Sequence, residues 1–321
     1  MHEQAVVGDG EIAAQTVSSA NPGSIARELM ELDRRIGWLV VNRFTYPFIR
    51  LLGRTAKPSV DASRVSISSL DKSFVPGIMV DPLQRSGDGA VLLFHGGGFV
   101  IGRPEDLLAK AVVFATQLGV PVICPRYRLA PEAPYPAALD DCRAAWSQLL
   151  GRAEAMAIDP HKIVIGGFSA GGGLAASLVQ KLRDKGGVQP AAQLLVYPML
   201  DDRTAAWRAL DKPRHRVWSN RNNRFAWTSY LGRAPENDCP RYAAAARCED
   251  LAGLPPAWIG VGTCDLFLDE NRVYAHRLSA AGVPTIYLEV EGAIHGFDMH
   301  ENALGTAFTE SQLAFAARYL R

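Results

Sequence analysis

Short apolar runs separated by turn residues recur along the chain from about residue 65 onwards. The run Ala90–Phe94 is apolar at every position, as expected for a strand that is buried on both faces of a parallel sheet. The first two runs are predicted to pair antiparallel. Eight strands are predicted in all: Val65–Ser68, Gly77–Val80, Ala90–Phe94, Pro121–Cys124, Ile163–Gly166, Ala192–Tyr197, Ala257–Val261 and Thr285–Val290.

Between these runs, apolar residues recur every three or four positions, which is typical of amphipathic helices. The pattern predicts helices over residues 136–150, 270–281 and 306–319. Before the strands, it predicts a helix from Ser24 to Val40 and a shorter one over 44–52 that is interrupted near Pro47, after a loose start over residues 1–22. Strands that alternate with helices predict an α/β fold, with a mostly parallel sheet and helices on both faces.

Residues 202–247 depart from this alternation, because they are rich in Arg, Asn and aromatic residues and contain no strand pattern. We interpret them as a helical insertion that forms a cap with the N-terminal helices over the carboxyl ends of the strands. The aromatic residues are expected in the cap core, with some lining a pocket: Trp207, Trp218, Phe225, Trp227 and Tyr230. The predicted division is 1–58 for the N-terminal part of the cap, 59–201 and 249–321 for the catalytic core, and 202–248 for the cap insertion.

Composition narrows the class of protein. The 321 residues are 48% hydrophobic and 21% charged, so the chain can bury a large core and disorder is not expected. A net charge of +1 without a basic stripe argues against nucleic acid as the partner. No apolar run approaches the roughly 18 residues of a membrane span. The polar N-terminus without a secretory signal and five scattered cysteines predict a cytoplasmic protein with reduced thiols.

The candidate chemistry centres on Ser169, which lies in a G-x-S-x-G sequence between Gly167 and Gly171. An apolar strand leads into this turn and a helix of small residues leads out of it. A sharp strand-to-helix turn holds a serine in a strained backbone and requires very small neighbours. The following helix offers unpaired N–H groups and a positive dipole end to an anion that forms at the serine.

A second glycine-rich segment, His95-Gly96-Gly97-Gly98, follows directly after a predicted buried strand. Consecutive glycines allow the backbone to approach a substrate and to direct N–H groups at it. Donors arranged in this way stabilise the oxyanion of a tetrahedral intermediate, each by roughly 3–4 kcal/mol. The N–H of Ala170, just after the serine, is expected to supply a further donor.

Asp265 and His295 each follow one of the last two predicted strands. Because active sites of open α/β sheets lie at the carboxyl ends of the strands, both are expected near Ser169. The chain order Ser, Asp, His is that of the α/β-hydrolase triad. Ser169 is then the nucleophile, His295 the general base and Asp265 the residue that orients the histidine. Asp269 is the alternative acid, less favoured because it lies further from the strand end.

Together these motifs resemble the hormone-sensitive-lipase-like branch of the α/β-hydrolases, which contains bacterial carboxylesterases with an HGGG motif. The resemblance covers residues 60–321, and the segments that carry it are HGGGFVIG (95–102), YRLAPEAPYPAALDD (127–141), GFSAGGG (167–173), Tyr197-Pro198, DLFLDE (265–270) and HGF (295–297). It implies an eight-stranded α/β-hydrolase sheet with a helical cap and esterase activity on short to medium acyl chains. It also implies that Gly97, Gly98 and Ala170 are the oxyanion donors, that His95 and Gly96 shape the loop, and that the protein forms a homodimer.

Two positions depart from the family pattern. Phe168 precedes the serine where the family usually has Asp or Thr, and Arg126 stands where it usually has Asp. Because the serine, the acid and the histidine are kept, these departures bear on the substrate and not on the mechanism.

The leading hypothesis is a serine carboxylesterase acting on a small-molecule ester, with no cofactor and no metal. Two alternatives stay open: an amidase or deacetylase with the same triad, and a small-molecule binding protein on the same scaffold. Metal-dependent hydrolysis is disfavoured because the chain has no H-E-x-x-H motif and no Cys/His cluster with zinc spacing. Nucleotide binding is disfavoured because neither G-x-x-x-x-G-K-[ST] nor G-x-G-x-x-G is present.

Overall fold

The computed structural model describes residues 13–17, 24–36, 39–55, 60–70, 74–211 and 215–321. Its strands are β1 (Ala13–Val17), β2 (Val65–Ser69), β3 (Gly77–Pro82), β4 (Ala90–Phe94), β5 (Val122–Pro125), β6 (Ile163–Phe168), β7 (Ala192–Val196), β8 (Ala257–Gly262) and β9 (Thr285–Val290). Its α-helices are α1 (Met30–Ile36), α2 (Tyr46–Thr55), α3 (Leu108–Leu118), α4 (Ala137–Leu150), α5 (Ala170–Lys185), α6 (Asp202–Ala206), α7 (Asn220–Leu231), α8 (Leu268–Ala280) and α9 (Ala303–Ala316).

The strands form one mostly parallel sheet in the order β1-β9-β8-β7-β6-β4-β5-β3-β2. Strand β3 runs antiparallel to both β2 and β5, and the remaining pairs are parallel. The eight strands β2–β9 are the predicted ones, and the predicted α/β-hydrolase architecture is confirmed. Strands β4, β6, β7 and β8 are buried at every position, because they lie in the middle of the sheet between layers of helices.

A ninth strand, β1, lies outside the predicted set. It pairs in parallel with β9, from Ala13 opposite Ile286 to Val17 opposite Val290. The prediction of a loose start is therefore wrong for residues 13–17, while the rest of that stretch lies outside the described residues. The outer edge of β9 offers unpaired backbone groups, so a segment without a strong apolar pattern can form a strand there.

The N-terminal helices are shorter than predicted. The first is a 3₁₀ turn over Arg27–Leu29 followed by α1, and Val40 is not helical. The second, α2, is continuous through Pro47. Proline is tolerated in the first turn of a helix, where its missing N–H has no intrahelical partner to lose, so no interruption follows.

The N-terminal segment and the predicted insertion bind each other. The Asn222 side chain on α7 accepts a hydrogen bond from the Val41 N–H at 2.9 Å and donates to the Leu39 carbonyl at 2.8 Å. Arg216 pairs with Asp33 at 2.9 Å. Residues 202–211 and 215–248 contain helices, turns and irregular segments, and no strand is present in these two ranges. No helix in the described ranges combines the length and the apolar character needed to cross a bilayer.

Candidate active site

Ser169 lies at the turn between β6 and α5, with φ 54° and ψ −119°. A positive φ is uncommon for a residue other than glycine and persists only where the surroundings hold it. The Ser169 N–H donates to the Val196 carbonyl at 2.9 Å, and its carbonyl accepts from the N–H groups of Met199 and Gly173 at 3.0 and 3.1 Å. These three hydrogen bonds tie the turn to the end of β7 and to the first turn of α5.

The glycines of the motif allow main chains to approach closely. A Cβ atom at Gly171 would lie 2.2 Å from the Phe94 carbonyl oxygen, and one at Gly167 would lie 2.2 Å from the Gly171 carbonyl oxygen. Both contacts are with backbone, which cannot move aside as a side chain can. The G-x-S-x-G spacing therefore reflects the packing of α5 onto the ends of β4 and β6.

The three predicted triad residues are joined by hydrogen bonds. Ser169 Oγ lies 2.9 Å from His295 Nε2, and His295 Nδ1 lies 2.7 Å from Asp265 Oδ2. The Phe267 N–H donates to the other carboxylate oxygen of Asp265 at 2.9 Å. All three side chains are buried. With Nδ1 donating to the carboxylate, Nε2 is left as the acceptor that faces the serine hydroxyl.

The alternative acid lies elsewhere. Asp269 is in the first turn of α8 and pairs with Arg272 at 3.3 Å, and its side chain is 71% exposed. It makes no described contact with His295.

Three groups behind the histidine were not predicted as site residues, although Tyr197 lies in a segment that carries the family resemblance. The Tyr197 ring meets the His295 ring edge-on, with centroids 4.8 Å apart. Its hydroxyl donates to Asp298 at 2.8 Å, and Lys110 pairs with the same carboxylate at 2.8 Å. Burial, and then the Asp298 charge, raise the pKa of Tyr197 well above its ordinary value. Lys110, Tyr197 and Asp298 come from three separate elements, so no spacing in the sequence signals their contact.

The loop after β4 passes over the serine turn. A Cβ atom at Gly96 would lie 3.3 Å from the Ser169 Cβ, and Gly97 and Gly98 have φ values of 112° and 58°. Within the described part of the chain, no acceptor receives the backbone N–H groups of Gly97, Gly98 or Ala170. These are the three donors expected from the sequence.

His95 anchors this loop. Its Nδ1 lies 2.8 Å from the Gly96 carbonyl oxygen, and its ring stacks on Tyr127 at 4.1 Å between centroids. The Tyr127 hydroxyl donates to the His95 carbonyl at 2.7 Å. Burial lowers the pKa of His95 to about 4, so the ring is neutral near neutral pH and can pack without a counter-charge.

A cavity of about 360 Å³ opens over Ser169 and His295. Its wall includes Ile49 from the N-terminal segment and Trp218 from the insertion. Trp218 packs directly on Gly98, where a Cβ atom would lie 2.3 Å from the indole. The other four predicted cap aromatics do not line this cavity. Trp207 is 58% exposed, and Phe225 packs near Tyr46. Trp227 and Tyr230 pack against Phe99.

The two departures from the family pattern both line this cavity. Phe168 is buried at the end of β6, edge-on to Tyr197 at 6.0 Å. Arg126 pairs with Glu105 at 2.5 Å. Phe168 thus places an apolar ring beside the serine. Among the described residues, no group of three or more His, Cys, Asp or Glu side chains is arranged to hold a metal ion.

The chain is similar to known proteins in sequence and in fold. A family model described as the alpha/beta hydrolase fold matches residues 91–299. Esterase LipI of Mycobacterium tuberculosis is 36% identical over 215 residues, which are 64% of this chain and 65% of that protein. The match therefore spans somewhat less than two thirds of LipI. A solved bacterial heroin esterase is similar with a TM-score of 0.85 and 34% identity, over 93% of this chain and 98% of that one. A solved esterase of the bacterial hormone-sensitive lipase family is similar with a TM-score of 0.71 and 27% identity, over 87% of this chain and 97% of that one.

The chain therefore belongs to the α/β hydrolase fold family, in its hormone-sensitive-lipase-like branch. The relatives named above are esterases by name.

The buried His95 predicts a specific pH dependence of stability. The unfolded chain binds a proton below about pH 6.5, whereas folded His95 does so only near pH 4. Protonation therefore favours the unfolded chain across this window, and stability falls as the pH is lowered. Urea unfolding at several pH values should show that the wild type loses on the order of 3 kcal/mol more than His95→Asn between about pH 7 and 4. Parallel pH profiles for the two proteins would contradict this role.

Proposed function

We propose that the protein is a serine carboxylesterase that hydrolyses short- to medium-chain carboxylic esters through an acyl-enzyme intermediate. The observation that carries the proposal is the continuous chain of hydrogen bonds from Ser169 Oγ through the His295 ring to Asp265, buried beside unpaired backbone N–H groups. A serine hydroxyl is a weak nucleophile unless a neighbouring base accepts its proton.

In the acylation step, Ser169 Oγ attacks the ester carbonyl carbon while His295 Nε2 accepts the hydroxyl proton. The Asp265 carboxylate keeps Nδ1 protonated and stabilises the imidazolium that forms. The carbonyl oxygen becomes an oxyanion, for which the N–H groups of Gly97, Gly98 and Ala170 are the proposed donors. Collapse of this intermediate expels the alcohol, which takes the proton from His295, and leaves the acyl group on Ser169.

In the deacylation step, water replaces the alcohol. His295 accepts a proton from the water as its oxygen attacks the acyl carbon, and the same N–H groups stabilise the second oxyanion. The acid is released when Ser169 Oγ leaves with the proton returned by His295. The enzyme is restored to its starting state, and no cofactor or metal enters these steps.

The two alternative functions differ from this one in what they require of the site. An amidase or deacetylase needs the same groups, but the leaving nitrogen must be protonated more completely by His295. A binding protein on this scaffold does not need the proton transfer. The 2.9 Å contact between Ser169 and His295 supports the enzyme, because a binding pocket gains nothing from an activated serine.

A limited acyl-chain length is part of the proposal. The cavity is bounded by Phe168 on the core side and by Trp218 on the cap side, and both rings are buried. A hydrophobic pocket of finite size discriminates through the methylenes it can accommodate. The cytoplasmic location and the homodimer expected from the sequence stay predictions, as does the division into core and cap.

Replacement of the nucleophile is the direct test. Ser169→Ala should lower kcat/KM for p-nitrophenyl butyrate by about ten-thousand-fold or more, because the remaining groups cannot form the covalent intermediate. The melting temperature should stay close to that of the wild type. Ser147→Ala, at an exposed position on α4, is the matched control and should retain full activity. Activity of Ser169→Ala at a sizeable fraction of wild type would rule out the nucleophile, and faster turnover of a matched aryl amide would favour the amidase.

A chain-length series tests the pocket. The wild type should hydrolyse p-nitrophenyl butyrate much faster than the palmitate ester, because the buried rings close the acyl site. Trp218→Ala should raise the palmitate-to-butyrate ratio of kcat/KM by at least about tenfold, since it opens the cap side of the cavity. Trp207→Ala, which changes an exposed cap tryptophan, is the control and should leave the ratio unchanged. Equal wild-type rates on the two esters would refute the limit on chain length.

A further inference from the structure

An apolar surface lies on the outside of α2 and the turn before it. Five of the twelve large hydrophobic residues that are exposed in the described chain fall within residues 40–52, with exposed fractions of 56–69%: Val40, Phe44, Phe48, Leu51 and Leu52. We call these five side chains the α2 outer face. Single exposed apolar residues are ordinary on protein surfaces, but a contiguous group marks an interaction site.

Helical spacing makes this group contiguous. Phe44, Phe48 and Leu51 are separated by four and three positions, and side chains at these intervals lie on one side of a helix. The turn that holds Phe44 continues into α2, because the Tyr46 N–H donates to the Asn42 carbonyl at 3.0 Å. The apolar side chains therefore form one stripe along the outside of the helix.

The inner side of α2 is attached to the protein by polar contacts. Arg50 donates to the carbonyl oxygens of Val100 and Ala130 at 2.7 and 2.6 Å and pairs with Glu132 at 2.9 Å. The Tyr46 hydroxyl donates to the same carboxylate at 3.2 Å. A surface helix normally packs its apolar side inward and turns its charges to water. On α2 much of the apolar side is outward, so this face is suited to a partner that is less polar than water.

The charge of this segment indicates which partner. Between Asp33 and Asp61 the chain contains six basic residues and no acidic one, although the whole protein carries a net charge of only +1. Arg43 is exposed beside the outer face, and its guanidinium lies 4.4 Å from the centre of the Phe44 ring. Arg54, near the far end of α2, is also exposed, and it lines the cavity over Ser169. Exposed Phe and Leu flanked by arginines are typical of helices that lie in the interface of an anionic membrane.

We propose that the α2 outer face docks the protein on the surface of an anionic phospholipid bilayer. Phe48 and Leu51 enter the boundary between headgroups and acyl chains, and Arg43 lies among the lipid phosphates. The opposite side of the same helix contributes Ile49 and Gly53 to the wall of the cavity over Ser169. Docking thus brings the cavity next to the bilayer, where apolar esters accumulate. The proposal goes beyond ester hydrolysis and does not depend on it.

The test is sedimentation of the full-length protein with vesicles. The wild type should bind vesicles of phosphatidylcholine with phosphatidylglycerol and bind vesicles of phosphatidylcholine alone much more weakly. Phe48→Ser/Leu51→Ser should weaken binding to the anionic vesicles by about thirtyfold, because two partly inserted apolar side chains are lost. Arg43→Gln should weaken it by about fivefold, an effect that added salt abolishes. Leu83→Ser/Val273→Ser, which changes two apolar residues with 65% and 57% exposure elsewhere, is the matched control and should bind as the wild type does.

Activity on soluble p-nitrophenyl acetate should be the same in all of these variants, which shows that they are folded. Absence of wild-type binding to the anionic vesicles would overturn the proposal. Unchanged binding by Phe48→Ser/Leu51→Ser would also overturn it. A third contrary result is a wild-type dimer that becomes a monomer in this variant while neither binds vesicles, since the face would then contact a second copy. Because sedimentation needs no turnover, failure here is separate from failure of the esterase proposal.

Discussion

The main chain at Ser169 adopts a positive φ, and the rest of the site depends on the contacts that hold it there. The hydrogen bonds to Val196, Met199 and Gly173 fix the serine at the end of the sheet. The close approach of Gly171 to the Phe94 carbonyl fixes the start of α5 against β4. Because the turn is held both at the end of the sheet and at the start of α5, the Ser169 hydroxyl faces the His295 ring. The first N–H of α5 follows directly after the serine. A displacement of about 1 Å would break this alignment, which is why the strained turn is held by backbone contacts that cannot easily relax.

Buried carboxylates attach the surrounding segments to this centre. Glu270 accepts hydrogen bonds from the N–H groups of Leu200 and Asp201 and from the Thr204 hydroxyl. Burial raises the pKa of Glu270 well above its ordinary value. Asp202, whose side chain is fully buried, pairs with Arg247 at 2.8 Å. Both acids hold the segment that leaves β7, so residues 200–204 lead from a fixed position into the predicted insertion.

Local signals in the sequence were sufficient to predict much of the fold and the candidate site. Strands β6 and β8 are apolar runs that Ser169 and Asp265 follow, and His295 follows β9, whose strand pattern includes polar residues. Because all three residues come after predicted parallel strands, their meeting at one edge of the sheet could be inferred. Strand β1 could not be predicted, because its position depends on the free edge of β9 and not on its own sequence pattern. The contacts of Asp298 with Lys110 and with Tyr197 also had no local signal, because they form only when three separate elements pack together. The α2 outer face could be identified only from the structure, since residue spacing alone does not tell which side of a helix faces the core.

The proposed mechanism depends on acylation of Ser169 during turnover. The most direct measurement is rapid acid quenching of the protein with p-nitrophenyl butyrate, followed by mass spectrometry of its peptides. We expect a burst of nitrophenolate before steady state and one butyryl group on the peptide that contains Ser169, with none in Ser169→Ala. Turnover at the full rate with no acyl group on that peptide, or with the acyl group on another residue, would contradict it.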